Sequence, residues 1–188
     1  MKLFFYDIET TGVKFWKNGI HQVSGCIEID GEVAEYFNFK VQPHPQSEIE
    51  EEALKIGNVT KEQVMNYPPM KEVYSLLVKM LSKYVDKFNK QDKFFLVGYN
   101  NSAFDNQFLR AFFIQNLDNY FGSWFWSDSH DAMVLASNYL KKDRHTMKDF
   151  KLMTVAAQLG ICVDSEKLHD AAYDIELTRS IYKIAINN

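Results

Sequence analysis

Hydrophobic positions in this chain fall into two periods, one of strands and one of helices. Residues 3–6 form a short unbroken apolar run, the pattern of a strand covered on both faces. Residues 20–29 and 33–41 flank Asp30-Gly31, a pair favoured in tight hairpin turns. Phe37, Phe39 and Val41 alternate with Asn38 and Lys40, so this arm has one wet face, and Pro43 and Pro45 end it. Residues 47–66 read as short helices broken near Gly57-Asn58, with Thr60 as a cap and Gln63 completing a capping box. Pro68-Pro69 opens a longer helix over about 70–88, whose apolar face is Val73, Tyr74, Leu77, Leu81, Tyr84, Val85 and Phe88. Residues 94–98 are a second apolar strand, and 121–126 a loop or edge strand. Further helices are expected at about 103–115, 131–140, 147–158 and 170–186. With no repeat and no linker, this order predicts a single α/β or α+β domain over 1–188, built on a mixed sheet.

Composition adjusts this picture in three places. A chain of 188 residues buries roughly two thirds of its unfolded surface, so it needs no disulfide or structural metal to fold. The aromatic share of 15% predicts a core rich in Phe and Tyr. A net charge of −4 and a pI near 5.7 provide no general basic field, which weakens the case for a simple nucleic-acid binder. An enzyme whose metal ions supply positive charge locally is still allowed. Lys79, Lys83, Lys87 and Lys90 form a stripe that a solvated helix face explains, whereas Lys141, Lys142, Arg144, His145 and Lys148 form a denser patch. Cys26 and Cys162 make no CxxC pair and read as buried thiols of a reducing compartment. The N-terminus turns acidic at Asp7, too early for a secretory signal, and no run approaches the ~18–20 apolar residues that span a bilayer. A cytoplasmic protein without a membrane partner is expected.

Four carboxylates break the apolar pattern. Asp7 and Glu9 extend the first strand and point to the same face, about 7 Å apart along the chain. Asp105 shares a helix face with Phe108, Leu109 and Phe112, and Asp174 shares one with Leu177, Thr178, Ile181 and Ala185. Solvated strand ends and helix caps explain any one of these acids. Four together, each beside an apolar surface, are better explained by one shared site for divalent cations, which removes their repulsion. His169 precedes Asp174 by five residues and, with an ordinary pKa near 6.5, is the natural acceptor of a proton from water.

These residues resemble the motifs of the DEDDh 3′–5′ exonucleases, the family of the proofreading epsilon subunit of bacterial DNA polymerase III, RNase T and oligoribonuclease. Asp7-Ile8-Glu9-Thr10-Thr11-Gly12 matches the first motif, Asn100 to Leu109 the second, and His169 to Asp174 the third. Weaker likenesses at residues 53–60, 131–136 and 152–161 extend the resemblance over nearly the whole chain. Asn100 stands where many relatives have His, and position 170 is Asp rather than the Tyr of the other subclass.

The resemblance implies an RNase H-like fold, a central mixed five-stranded sheet flanked by helices. It implies that Asp7, Glu9, Asp105 and Asp174 hold two Mg²⁺ or Mn²⁺ ions, roughly 4 Å apart, and that His169 deprotonates the attacking water. The product would be a 5′-nucleoside monophosphate released from a 3′ end. The expected partner is a single-stranded nucleic acid with a free 3′ end, DNA before RNA. Thr10, Thr11, Val13, Asn101 and Phe104 are the implied substrate contacts, with Val13 as a wedge against the last bases. Trp16, flanked by Lys14 and Lys17, is placed to stack on a base. Two alternatives stay open: a 3′–5′ exoribonuclease, and a non-catalytic adaptor, which the presence of all five active residues disfavours. Because the chain ends soon after the third motif, a free-standing nuclease is expected and no polymerase partner is implied.

Overall fold

The apolar run near the N-terminus becomes β1 (Lys2–Thr10), the central strand of a five-stranded sheet in the computed structural model, which describes residues 1–164 and 171–186. β2 (Ile20–Ile29) runs antiparallel to β1, and β3 (Glu32–Lys40) antiparallel to β2. Asp30 and Gly31 join the last two with φ of 51° and 95°, the left-handed geometry that a two-residue hairpin turn demands. α1 (Glu51–Ile56), α2 (Lys61–Met65) and α3 (Met70–Leu81) follow, and the Thr60/Gln63 capping box is formed at α2.

β4 (Phe94–Gly98) then pairs parallel with β1 on its other side. After α4 (Asp105–Gln115) and the short α5 (Phe121–Trp124), β5 (Phe125–Asp131) adds the edge in parallel to β4. The sheet order is therefore β3-β2-β1-β4-β5. α6 (Ala132–Tyr139), α7 (Leu152–Gln158) and α8 (Ala171–Ile186) complete the described chain.

The period of two in β1 sorts its side chains between two cores. Phe4, Tyr6 and Ile8 pack with Leu77, Phe108, Phe113 and Phe125 under α3, α4 and α5. Leu3 and Phe5 pack with Ala136, Val155, Ile181 and Tyr182 under α6, α7 and α8. Asp7 and Glu9 continue this second face, towards the start of α8. Further along α8 an ion cluster fixes it to β2: Arg179 donates to buried Glu28 at 2.6 Å and to Glu176 at 2.7 Å, while Lys183 lies 3.1 Å from Glu28.

Three expectations need correction. The helix over 70–88 ends at Leu81, and beyond it Asp86 and Asn89 accept the N–H groups of Phe88 and Gln91, and Asp92 that of Asp86. These side-chain turns compete with helix. Phe88, placed on the apolar face, is instead 84% exposed. The lysines do not form one stripe: Lys83 pairs with Glu35 at 2.8 Å, and Lys87 lies over the Phe88 and Trp124 rings. Of the two thiols, Cys26 is buried as expected but Cys162 is exposed.

Candidate active site

β4 follows β1 only as far as the pairing of Phe5 with Val97. Beyond it, the edge of β1 is open, and the N–H of Ile8 is satisfied by Asp105 Oδ1 at 3.1 Å. Asp105, 5% exposed, thus takes the place that another strand would fill. The turn that carries it there is tight. A methyl group on Gly98 would lie 2.7 Å from Asn101 Cβ and 3.0 Å from the Tyr6 carbonyl oxygen. Asn100 adopts a φ of 63°, a left-handed conformation that Asn tolerates better than most side chains.

Asp131, which the sequence reading did not single out as a functional residue, holds this turn. Its carboxylate caps α6 by accepting the N–H groups of Met133 and Val134, and it also accepts those of Asn100 at 3.0 Å and Ser102 at 3.2 Å. The capping half of this role was visible as Asp131 ahead of an apolar helix; the link across 29–31 residues was not. Tyr6 donates its hydroxyl to Asn106, tying the start of α4 to β1.

The acids converge at this end of the sheet. Burial, and then the negative charges of Asp105, Glu9 and Asp174, raise Asp7 well above the usual carboxylate range. Burial likewise raises Asp105, although its own amide and that of Ile8 favour the charged form, and Glu9 and Asp131 add repulsion. Every charge among the described residues that shifts Asp7 is negative. Opposite Asp7, Ser24 buries a hydroxyl without a hydrogen-bond partner among the described residues. His169 lies outside the described residues.

Divalent cations suit this donor set. Hard ions take oxygen ligands, and a buried group of like charges is relieved by a cation. Among the described residues no group of three or more acidic, histidine or cysteine side chains is already arranged to clamp an ion. The fit therefore rests on the donors and their repulsion.

The remaining sequence candidates occupy the neighbouring loop and turn. Val13 and Trp16 are 70% and 67% exposed, and Phe15 packs on the first core with its ring 5.0 Å from that of Trp16. Thr11 is buried, its hydroxyl donating to the Glu48 carbonyl and accepting the Gly19 N–H. Thr10 donates to the Gly12 carbonyl. Asn101 is buried with its side-chain oxygen unpartnered among the described residues, and Phe104 is half-buried against Phe108. Of the aromatic stretch at 121–126, Phe121, Trp124 and Phe125 lie in the core. The basic segment near residue 144 is exposed and reaches the same end of the sheet, where Tyr99 donates to the Phe150 carbonyl at 2.7 Å.

A five-stranded mixed sheet with helices on both faces and acids gathered at the end of its central strand defines the RNase H-like exonuclease fold. The RNase T exonuclease family model matches residues 4–182, and the chain belongs to that family. It is 24% identical over 185 residues to the PolC-type DNA polymerase III of Mycoplasmopsis pulmonis, a match covering 97% of this chain and 11% of the polymerase. The zinc-bound E. coli ExoI complex with single-stranded DNA superposes with a TM-score of 0.78 at 19% identity, covering 99% of this chain and 40% of that one. E. coli exonuclease I bound to a dT13 oligonucleotide superposes at 0.72 and 18% identity, over 98% and 40% of the two chains. The chain thus spans about two fifths of exonuclease I and about a tenth of the polymerase. Among the described residues, no helix is long and apolar enough to cross a membrane.

Proposed function

We propose that this chain is a metal-dependent 3′–5′ exonuclease that releases 5′-nucleoside monophosphates from the 3′ end of single-stranded DNA. One observation carries the reading. In a chain of an exonuclease family, Asp105 accepts the N–H of Ile8, between Asp7 and Glu9, at the end of the central strand, and the charge of Asp174 reaches Asp7 there.

Asp7, Glu9, Asp105 and Asp174 would hold two Mg²⁺ or Mn²⁺ ions. When bound, such ions stabilise charge on the attacking and leaving oxygens of a phosphodiester. Asp105 is held for this role by the Ile8 N–H, and its turn by Asp131. His169 takes the proton of the attacking water, a role that contributes roughly 10²–10⁴-fold. Val13 and Trp16 offer exposed apolar surface to the terminal bases, and stacking on Trp16 is worth about 1–3 kcal/mol. The exposed basic segment near Arg144 supplies positive charge for the phosphates beyond them. Single-stranded DNA is favoured because the E. coli exonuclease I structures similar to this fold bind such strands.

Matched DNA and RNA strands labelled at the 5′ end test the reading. With Mn²⁺ the DNA should give a descending ladder, chelation should abolish it, and 3′-blocked or circular strands should persist. Rapid cutting of a circle would mark an endonuclease and overturn the proposal. Faster loss of RNA would move the substrate to RNA.

A further inference from the structure

β2 contains an irregularity beside the acidic cluster. Gln22 pairs with Glu9 and Ile20 with Thr10, so His21 is an extra residue opposite that step of β1. Such a bulge re-aims a side chain that regular alternation would send to the other face. His21 is 1% exposed, and neither ring nitrogen has a hydrogen-bond partner among the described residues. A buried polar group left so calls for an unseen water or ion. Beside it, Gly57, the residue that caps the C-terminus of α1, leaves a gap. A methyl group there would lie 3.7 Å from both His21 Nε2 and Glu9 Oε2, and 3.6 Å from His21 Cε1.

We propose that His21 is a positioning residue for Glu9, joined to its carboxylate by a water held in the gap that Gly57 leaves open. This inference rests on the reading of Glu9 as a metal ligand. A water needs two or more polar partners, and these two side chains face the same small space. A ring nitrogen of His21 then turns the carboxylate, through the water, to one orientation. Partners behind metal ligands fix the orientation of those ligands in this way.

The test is Mn²⁺ binding by calorimetry on the folded chain without nucleic acid, with thermal unfolding in chelator beside it. His21→Phe keeps a planar ring and removes the nitrogens. Gly57→Ala fills the gap at a φ of −78°, which alanine adopts without strain. Both should weaken Mn²⁺ binding roughly ten- to a hundredfold, with unfolding midpoints unchanged or raised. His21→Gln, which restores a polar nitrogen near the Nε2 position, should recover most of the affinity. Wild-type Mn²⁺ affinity in both His21→Phe and Gly57→Ala would overturn this role alone, whatever their midpoints. Absence of Mn²⁺ binding in the wild type, or its survival in Asp105→Asn, would overturn the metal site itself and this role with it.

Discussion

In β1, Leu3, Phe4, Phe5 and Tyr6 bury apolar side chains in two cores, whereas Asp7 and Glu9, on the face of Leu3 and Phe5, set carboxylates against the charges of Asp105 and Asp174. The two halves share a strand, a sheet and a pleat. The first satisfies every rule of a central strand. The second sets Asp7 among negative charges, and it also breaks the ladder with a bulge at the step from Glu9 to Thr10. Local rules broken side by side, within a fold otherwise consistent, are what the proposed function requires where stability is yielded to chemistry.

Substitutions in the two halves should separate these roles. Asp7→Asn should lower turnover by a thousandfold or more, about 4 kcal/mol of lost transition-state stabilisation. Its unfolding free energy in chelator should be unchanged or higher, since a repelled charge is removed. Phe5→Ala should do the reverse: a loss of about 3–5 kcal/mol in urea unfolding, with activity per folded molecule retained. A large loss of stability in Asp7→Asn would erase the contrast.

A smaller effect is expected where α8 is anchored. Arg179→Ala leaves Glu28 buried, and breaking such a pair costs 3–5 kcal/mol when no counter-charge is left. Lys183 lies 3.1 Å from Glu28, so the expected cost is at the low end, about 3 kcal/mol, by denaturant titration. Because α8 carries Asp174, this variant should also weaken Mn²⁺ binding, whereas Phe5→Ala should not.

The pH dependence of stability should be the smallest effect, and its sign differs between groups. His21 has a folded value near 4 against an ordinary 6.5, so its contribution is whole above 6.5 and is lost as pH falls towards 4. Asp7 and Asp105 are raised above the ordinary 3.8, so in metal-free protein their repulsion is complete above the folded values and relieved as pH falls through them. Urea unfolding in chelator between pH 8 and pH 4 should therefore show a shallower acid-side loss in His21→Phe than in wild type. Asp105→Asn should show less gain on acidification from pH 8. Superposable curves for all three proteins would contradict these assignments.

What the sequence revealed depended on the range of the interaction. The run at residues 3–6, the hairpin at Asp30-Gly31 and the cap at Thr60 are local, and each forms as its pattern predicts. Asp105 and Asp174 stood out because helical spacing placed them among Phe108, Leu109, Leu177 and Ile181, all of which are buried. The turns that follow α3 were hidden because Asp92, which accepts the Asp86 N–H, is paired with Lys2 of β1. Asp131 and His21 were missed for the same reason. One acts through a turn 29–31 residues away, and the other through a register shift that no local pattern encodes.

Diffraction from crystals soaked in Mn²⁺, collected at the manganese absorption edge, tests the central claim most directly. The account predicts anomalous peaks among the carboxylates of Asp7, Glu9, Asp105 and Asp174, and their loss in Asp105→Asn. Manganese bound only elsewhere, with these four side chains left to repel one another, would contradict it.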